Sequence, residues 1–355
     1  MIFQQFRHEE GACLSYIIGC TQKHVCAVFE PQLAIDQYVK YADTYGMKIT
    51  HIFESHAQAD HLSGARLLSE KTHARVYYHE AAQAAFPIIK AKDGDRIEVG
   101  NIVLTILHTP GHTADSMSML VCDTTRSKEP WLVLTGDTLF VGDTGRPDLD
   151  GSAEKLYDSI FGKLLTLDNS VEIYPTHYAG SSCGKAMSPK PSSTIGFERK
   201  FNPALQLKSK QEFVDFVMAD LPVQPPRFQQ VRQYNLGFLK NPPIEKTYNM
   251  QELQITVEQL KVKLDKNEKL VIIDVREPLE YKTANIGGTL IPLREIAKRY
   301  TELDPKQEII VYCHHGNRSQ RAVEFLYEKG FVNVKNLVGG IDAWSTKIDP
   351  KVPRY

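Results

Sequence analysis

Apolar residues in this chain gather in short runs that stop abruptly at polar, glycine or proline positions. Ile49-Thr50-His51-Ile52-Phe53, Ile102 to Leu107, Trp131 to Thr135 and Val171 to Tyr174 have the length and the β-branched or aromatic content of strands. The first ends where a histidine-rich hexad begins, and the others end at Thr109-Pro110-Gly111, Gly136-Asp137 and Pro175-Thr176-His177. A helix is expected from Leu62 to Glu70. Further on, Leu270 to Val275 and Glu308 to Tyr312 are continuously apolar, as strands buried on both faces of a parallel sheet are. Each is followed by a helical pattern, the second over Gln320 to Lys329. Alternating strands and helices predict an α/β class throughout, the last part as a small doubly wound domain.

Proline divides the two parts. Leu221-Pro222-Val223-Gln224-Pro225-Pro226 and Asn241-Pro242-Pro243 can continue neither a helix nor a central strand. The boundary is expected near residue 250, giving domains 1–245 and 252–355. A net charge of −1 over 355 residues gives no reason to expect a nucleic acid or an anionic membrane as partner. No apolar run reaches the roughly 18 residues of a membrane span. Residues 1–8 lack the pattern of a secretory signal. Six scattered cysteines do not make a disulfide framework, so a reducing cytoplasm is the expected setting.

Residues that chemistry could use follow the strands directly: His56, Gln58, Asp60, His61, His112, Asp137 and His177. Imidazoles and carboxylates from several loops suit a borderline or hard divalent metal. A single histidine at a strand end is more often a structural hydrogen-bonding group, so the case rests on the ordered set. That set is His56-Ala57-Gln58-Ala59-Asp60-His61, then Pro110-Gly111-His112, Thr135-Gly136-Asp137 and Pro175-Thr176-His177. It resembles the metallo-β-lactamase superfamily over about residues 1–245, which implies an αββα sandwich with the site on one edge.

Glutamine stands at position 58, where the superfamily signature has a second histidine. Two-metal hydrolases of the glyoxalase II type hold one metal with both histidines of that pair and the Pro-Gly-His histidine. They hold the other with Asp-His and the last histidine, and the aspartate bridges. Here the first of those sites lacks an imidazole, and an amide oxygen replaces it poorly on zinc. The persulfide dioxygenases hold one iron(II) with the first histidine, the Pro-Gly-His histidine and the aspartate. The resemblance assigns that role to His56, His112 and Asp137, with one Fe(II) per chain and zinc as an alternative in isolated protein. Two imidazoles and a carboxylate leave three positions open for substrate sulfur and dioxygen. Gln58, Asp60, His61 and His177 are then expected behind the ligands, Gln58 as an amide facing the open positions.

Gly145-Arg146-Pro147-Asp148 resembles an element of the same dioxygenases whose arginine supports the site. Ser182-Cys183-Gly184-Lys185 and Ser193 to Arg199 resemble bacterial members that carry rhodanese domains. Arg146, Lys185 and Arg199 are therefore candidate substrate contacts, the latter two for carboxylates or phosphates of a thiol carrier. A solvated basic face is the alternative for both. Cys183 is either a persulfide-handling thiol or a small buried residue.

Cys313-His314-His315-Gly316-Asn317-Arg318-Ser319 follows a buried strand and opens a helix. Unpaired backbone N–H groups there favour an anionic sulfur. The Cys-x4-Arg spacing is tighter than the phosphate-sized Cys-x5-Arg loop and resembles the rhodanese family over roughly residues 252–355. Asp274-Val275-Arg276-Glu277 and Gly339-Gly340-Ile341-Asp342-Ala343-Trp344 agree, whereas Asn285-Ile286-Gly287-Gly288-Thr289 departs from the family's usual His-Ile-x-Gly-Ala segment. Cys313 and Arg318 are the expected catalytic residues.

Both resemblances converge on sulfane sulfur. They imply oxidation of a thiol persulfide to sulfite by dioxygen, joined to sulfur transfer with thiosulfate or sulfite through Cys313, in sulfide detoxification. A thioester hydrolase with a rhodanese appendage and a sulfur carrier or sensor with an inactive first domain stay open. So do the identity of the thiol carrier, the direction of transfer and homo-oligomer formation.

Overall fold

The computed structural model describes residues 1–8, 10–219, 221, 227–242 and 253–354. Pro222, Pro225, Pro226 and Pro243 of the expected linker, with the expected boundary near residue 250, lie outside them. The chain divides into two compact units, Met1–Pro243 and Ile244–Tyr355.

The first unit carries two six-stranded sheets. One runs in sequence order through β1 (Ile2–His8), β2 (Cys13–Cys20), β3 (Val25–Phe29), β4 (Lys48–Phe53), β5 (Arg75–His79) and β6 (Ile89–Ala91). Its first three strands are antiparallel neighbours, and β3 to β6 are parallel. The other sheet comprises β7 (Arg96–Val99), β8 (Ile102–His108), β9 (Met117–Asp123), β10 (Leu132–Gly136), β11 (Glu172–Pro175) and β12 (Ser193–Thr194). Within it only β10 and β11 pair in parallel.

Burial explains how these sheets stack. Leu14, Phe29 and Phe53 from one sheet share a core with Leu104, Met117 and Leu132 from the other. On the outer face of the first sheet, Ile17, Val28 and Ile52 pack with Tyr38, Ala42 and Leu68 from helices Asp36–Thr44 and Ala65–Thr72. On the outer face of the second, Val133 and Ile173 pack with Leu156, Ile160 and Phe213 from helices Ala153–Gly162 and Lys210–Met218. The result is the αββα order. The helix expected from Leu62 begins at Ala65. Ser63 is spent otherwise, its hydroxyl on Glu54 at 2.5 Å and its N–H on Asn235 at 2.9 Å.

The second unit is a parallel sheet of β13 (Gln254–Ile255), β14 (Val271–Asp274), β15 (Thr289–Leu290), β16 (Ile309–Tyr312) and β17 (Val334–Leu337). Its order is β13-β17-β16-β14-β15, with an apolar cluster on each face. Helix Asn317–Glu328 starts three residues before the expected Gln320. No helix among the described residues is long and apolar enough to cross a membrane.

An ion pair sits inside this small unit. Arg276 and Asp274 are both fully buried, with Nη2 2.6 Å from Oδ2, and Arg276 also donates to the Ala284 carbonyl at 2.7 Å. Removing one partner leaves the other charge buried without compensation. Arg276→Met is therefore expected to destabilise the second unit by about 3–5 kcal/mol. The check is the urea midpoint of that unit's transition in the full chain.

Candidate metal centre and cysteine loop

His56, His112 and Asp137 come from loops that leave β4, β8 and β10 at one edge of the stacked sheets. All three are buried, and one donor atom from each lies within 4.8 Å of the others. Gly136 makes the last turn possible: its φ is 55°, and a Cβ there would lie 2.7 Å from Ser55 Oγ.

Hydrogen bonding fixes which atoms face inward. His112 Nδ1 lies 2.7 Å from the Arg146 carbonyl, an acceptor only, so Nδ1 carries the proton and Nε2 is left with a lone pair. His56 Nδ1 is satisfied by Ser55 Oγ at 2.9 Å. Asp137 uses Oδ1 to accept from His177 Nδ1 at 2.7 Å and from the Thr176 hydroxyl. Its buried Oδ2 has no hydrogen-bond partner, and it lies 3.4 Å from His112 Nε2 and 3.9 Å from His56 Nε2. The His112 Nε2 lone pair and the unpartnered Asp137 Oδ2 therefore converge with His56 Nε2 beside them, which fits a divalent cation held by two imidazoles and a carboxylate. Burial pushes His56 down to about 4, against the pull of Asp137, so the ring is neutral as a ligand must be. For Asp137, burial works upward, but His177, His112 and His56 prevail and hold it below the usual carboxylate range.

The other expected site residues take distinct places. His177 holds Asp137 directly. Asp60 stands behind it, with Oδ2 2.8 Å from His177 Nε2, and its Oδ1 meets His61 Nδ1 at 2.9 Å. Gln58 is fully buried; its amide nitrogen donates to Glu30 Oε2 at 2.5 Å and lies 3.4 Å from His56 Nδ1, and its amide oxygen has no hydrogen-bond partner. Burial, and for Glu54 the neighbouring Glu30 charge, push both of these carboxyls up. Gln58→Leu is expected to strip a donor from buried Glu30 and cost about 1–3 kcal/mol of stability. Metal content per chain should stay unchanged. Urea unfolding beside metal analysis checks both, and a loss of metal would give Gln58 a part in holding it.

Arg146 supports the site through its main chain. Its side chain is buried and forks onto Asp148 at 2.8 Å. Lys185 donates to the Phe216 and Ala219 carbonyls at the end of helix Lys210–Met218, and Arg199 donates to the Leu165 carbonyl at 2.7 Å. Cys183 lies with Asp137 and His177, its donor atom within 4.8 Å of theirs. Burial, then the Asp60 and Asp137 charges, push its thiol well above the usual range.

Several residues here were not singled out in the sequence. Asn235 clamps the histidine hexad, donating to the carbonyls of Gln58 at 2.9 Å and His61 at 2.8 Å. Asp115 accepts the Ala57 N–H at 2.9 Å. Asp115 lies three residues past His112 and could have been read as part of that motif, whereas nothing local marks Asn235.

In the second unit Cys313 is 2% exposed and sits between β16 and helix Asn317–Glu328. Gly316 N–H and the Ser319 hydroxyl point at its sulfur, at 3.1 and 3.3 Å. Gly340, with φ 58°, lets helix Gly340–Lys347 approach; a Cβ there would sit 2.3 Å from the Cys313 carbonyl oxygen. Arg318 forks onto Glu280 at 2.7 and 2.6 Å.

Residues 41–177 match the Metallo-beta-lactamase superfamily, and residues 256–347 match the Rhodanese-like domain. The crystal structure of ETHE1 from Myxococcus xanthus is 30% identical, covers 66% of this chain and 98% of its own, and superposes with a TM-score of 0.59. A metallo-beta-lactamase from Staphylococcus aureus is 29% identical over 95% of this chain and 98% of its own, with a TM-score of 0.63. The persulfide dioxygenase ETHE1 of Bos taurus is 29% identical over 60% of this chain and 79% of its own length. The chain belongs to the metallo-β-lactamase superfamily, in the group that contains the persulfide dioxygenase ETHE1, and it carries a C-terminal rhodanese-like domain.

Proposed function

We propose that the first unit oxidises a low-molecular-weight thiol persulfide to sulfite with dioxygen, using one iron(II) at His56, His112 and Asp137. The second unit moves sulfane sulfur through Cys313. The observation that carries the reading is the unpartnered Asp137 Oδ2 facing two imidazole Nε2 atoms. When bound, iron(II) would supply the redox chemistry that dioxygen requires and open positions for two reactants.

The chain's own groups do the positioning. The Arg146 carbonyl and Ser55 Oγ hold His112 and His56 with Nε2 inward. His177 and Thr176 occupy Asp137 Oδ1, so only Oδ2 is offered. Gln58 spends its amide nitrogen on Glu30, and His56, His112 and Asp137 are taken as the three protein donors of the facial arrangement. The net reaction balances as persulfide anion, dioxygen and water giving thiol, sulfite and one proton. At Cys313, the thiolate would attack the sulfane sulfur of a donor, forming an S–S bond while the donor's bond to that sulfur breaks. The Gly316 N–H and Ser319 hydroxyl are placed to hold the resulting anionic persulfide. Fusion keeps the product of one unit at raised effective concentration near the other.

The test is dioxygen consumption with the persulfides of glutathione, coenzyme A and bacillithiol, beside iron quantification. Equal amounts of dioxygen consumed and sulfite formed, with one iron per chain, are expected. Two zinc ions per chain with thioester hydrolysis and no oxygen uptake would overturn the reading.

A further inference from the structure

Helix Phe228–Asn235 reaches the loops of two proposed ligands with two of its side chains. We infer that Asn235 and Arg232 are positioning residues of the metal centre, holding the loops that carry His56 and His112 at a fixed separation. The inference rests on reading His56, His112 and Asp137 as a metal centre, and it is independent of the metal's identity and of the substrate.

Asn235 makes the tighter grip. Residues Gln58 to His61 lie in neither helix nor strand, so their backbone groups need partners from elsewhere. Asn235 Nδ2 donates to the Gln58 carbonyl at 2.9 Å and to the His61 carbonyl at 2.8 Å, and its Oδ1 accepts the Ser63 N–H at 2.9 Å. A carbonyl only accepts and a backbone N–H only donates, so the amide has one orientation and uses both its donors and its oxygen. Aspartate in its place could not donate, and leucine could neither donate nor accept. Asn235 is 2% exposed, so truncating it leaves buried backbone groups without partners. His56 stands two residues ahead of this grip, and the intervening Ala57 N–H is fixed on Asp115 Oδ2 at 2.9 Å.

Arg232 carries the grip to the other loop. One turn earlier on the same helix, its Nη2 lies 3.5 Å from Asp115 Oδ1 and its Nη1 2.5 Å from Asp150 Oδ2. Asp115 follows His112 by three residues, so it joins the His112 loop to the hexad. Asp150 forms a backbone bridge with Thr113, and Gly151 packs so closely beneath His112 that a Cβ there would lie 1.9 Å from the Gly111 carbonyl oxygen.

The helix is itself anchored. Leu236 enters the outer core of the first sheet, its carbonyl accepts the Ala85 N–H at 2.7 Å, and the Arg66 guanidinium lies 4.4 Å from the Tyr234 ring centre. A fixed helix that grips both loops sets the donor geometry before a metal arrives, so binding needs little rearrangement.

The experiment titrates the full-length chain, stripped of metal, with cobalt(II) and follows the visible d–d bands. His112→Ala identifies the bands that belong to this centre, because they should disappear in it. In Asn235→Ala the cobalt dissociation constant is expected to rise about 10–100-fold, with the bands shifted, as when a group behind a metal ligand is lost. Far-ultraviolet circular dichroism and sulfur transfer through Cys313 should match wild type, so a purely structural role would leave affinity and bands where they were. Arg232→Ala should weaken binding in the same direction, and Arg232→Lys should recover part of the loss. Wild-type affinity and bands in folded Asn235→Ala would overturn the inference alone. If Asn235→Ala does not fold, Arg232→Ala decides by the same two readouts. A wild type with no cobalt bands sensitive to His112→Ala would overturn the metal-centre reading and this inference together.

Discussion

Replacing His112 by alanine is expected to empty the iron centre and cut persulfide-dependent dioxygen consumption by more than about 100-fold. Loss of a group that only backs a metal ligand commonly costs 10–100-fold, and His112 is a proposed ligand itself. Its Nδ1 is committed to the Arg146 carbonyl, so its Nε2 has no other task in the fold. Without it, Asp137 Oδ2 faces only His56, at 3.9 Å. Two donors and water do not hold iron against dilution as three do. Sulfur transfer through Cys313 should persist, because that cysteine lies in the other compact unit. It is the internal control for protein amount and for the fold of the second unit, and far-ultraviolet circular dichroism of the full chain controls for the first. Iron per chain and oxygen-electrode traces of both proteins are the measurements. An iron content equal to wild type would show that the centre lies elsewhere.

What the sequence made legible is what local patterns encode. Strand ends announced by Thr109-Pro110-Gly111 and Gly136-Asp137 place His112 and Asp137 in loops because apolar runs must stop where the sheet does. The parallel core of the second unit was visible for the same reason: β14 and β16 are central and apolar. What stayed hidden depends on contacts between distant segments. Cys13, at the start of β2, meets His177 through an isolated backbone bridge to the loop after β11, far away in sequence. Asn235 reaches the hexad from helix Phe228–Asn235, and no motif surrounds it. Lys185 and Arg199 read as candidate contacts for a ligand's anionic groups or as a solvated basic face, and both also donate to backbone carbonyls of neighbouring elements. Gln58 was expected to face the open positions, and its amide nitrogen is shared with buried Glu30, a contact remote in sequence that no local pattern announces.

Cys313→Ser is expected to abolish sulfur transfer, by at least about 10³-fold, because the substitution removes the nucleophile and carrier atom itself. Oxygen is a poor acceptor for sulfane sulfur, and the cradle around position 313 is sized for sulfur at 3.1–3.3 Å from its two donors. Serine is slightly smaller and keeps both hydrogen-bonding partners, so the fold should hold. Arg318 helps to define the loop while forked onto Glu280. Arg318→Lys would lose that bidentate grip, and a smaller fall than for Cys313→Ser is expected. Dioxygen consumption with a supplied persulfide should be unchanged in Cys313→Ser. With thiosulfate and thiol as the starting pair it should vanish, because the persulfide would no longer be formed. That contrast separates a two-step enzyme from a carrier. If the first unit were inert, neither substrate would support oxygen uptake in either protein. If the second unit did not pass its sulfur to the thiol, thiosulfate would fail to drive oxygen uptake even in the wild type. Transfer rates read by sulfite release, together with oxygen traces for both substrates, decide among these outcomes.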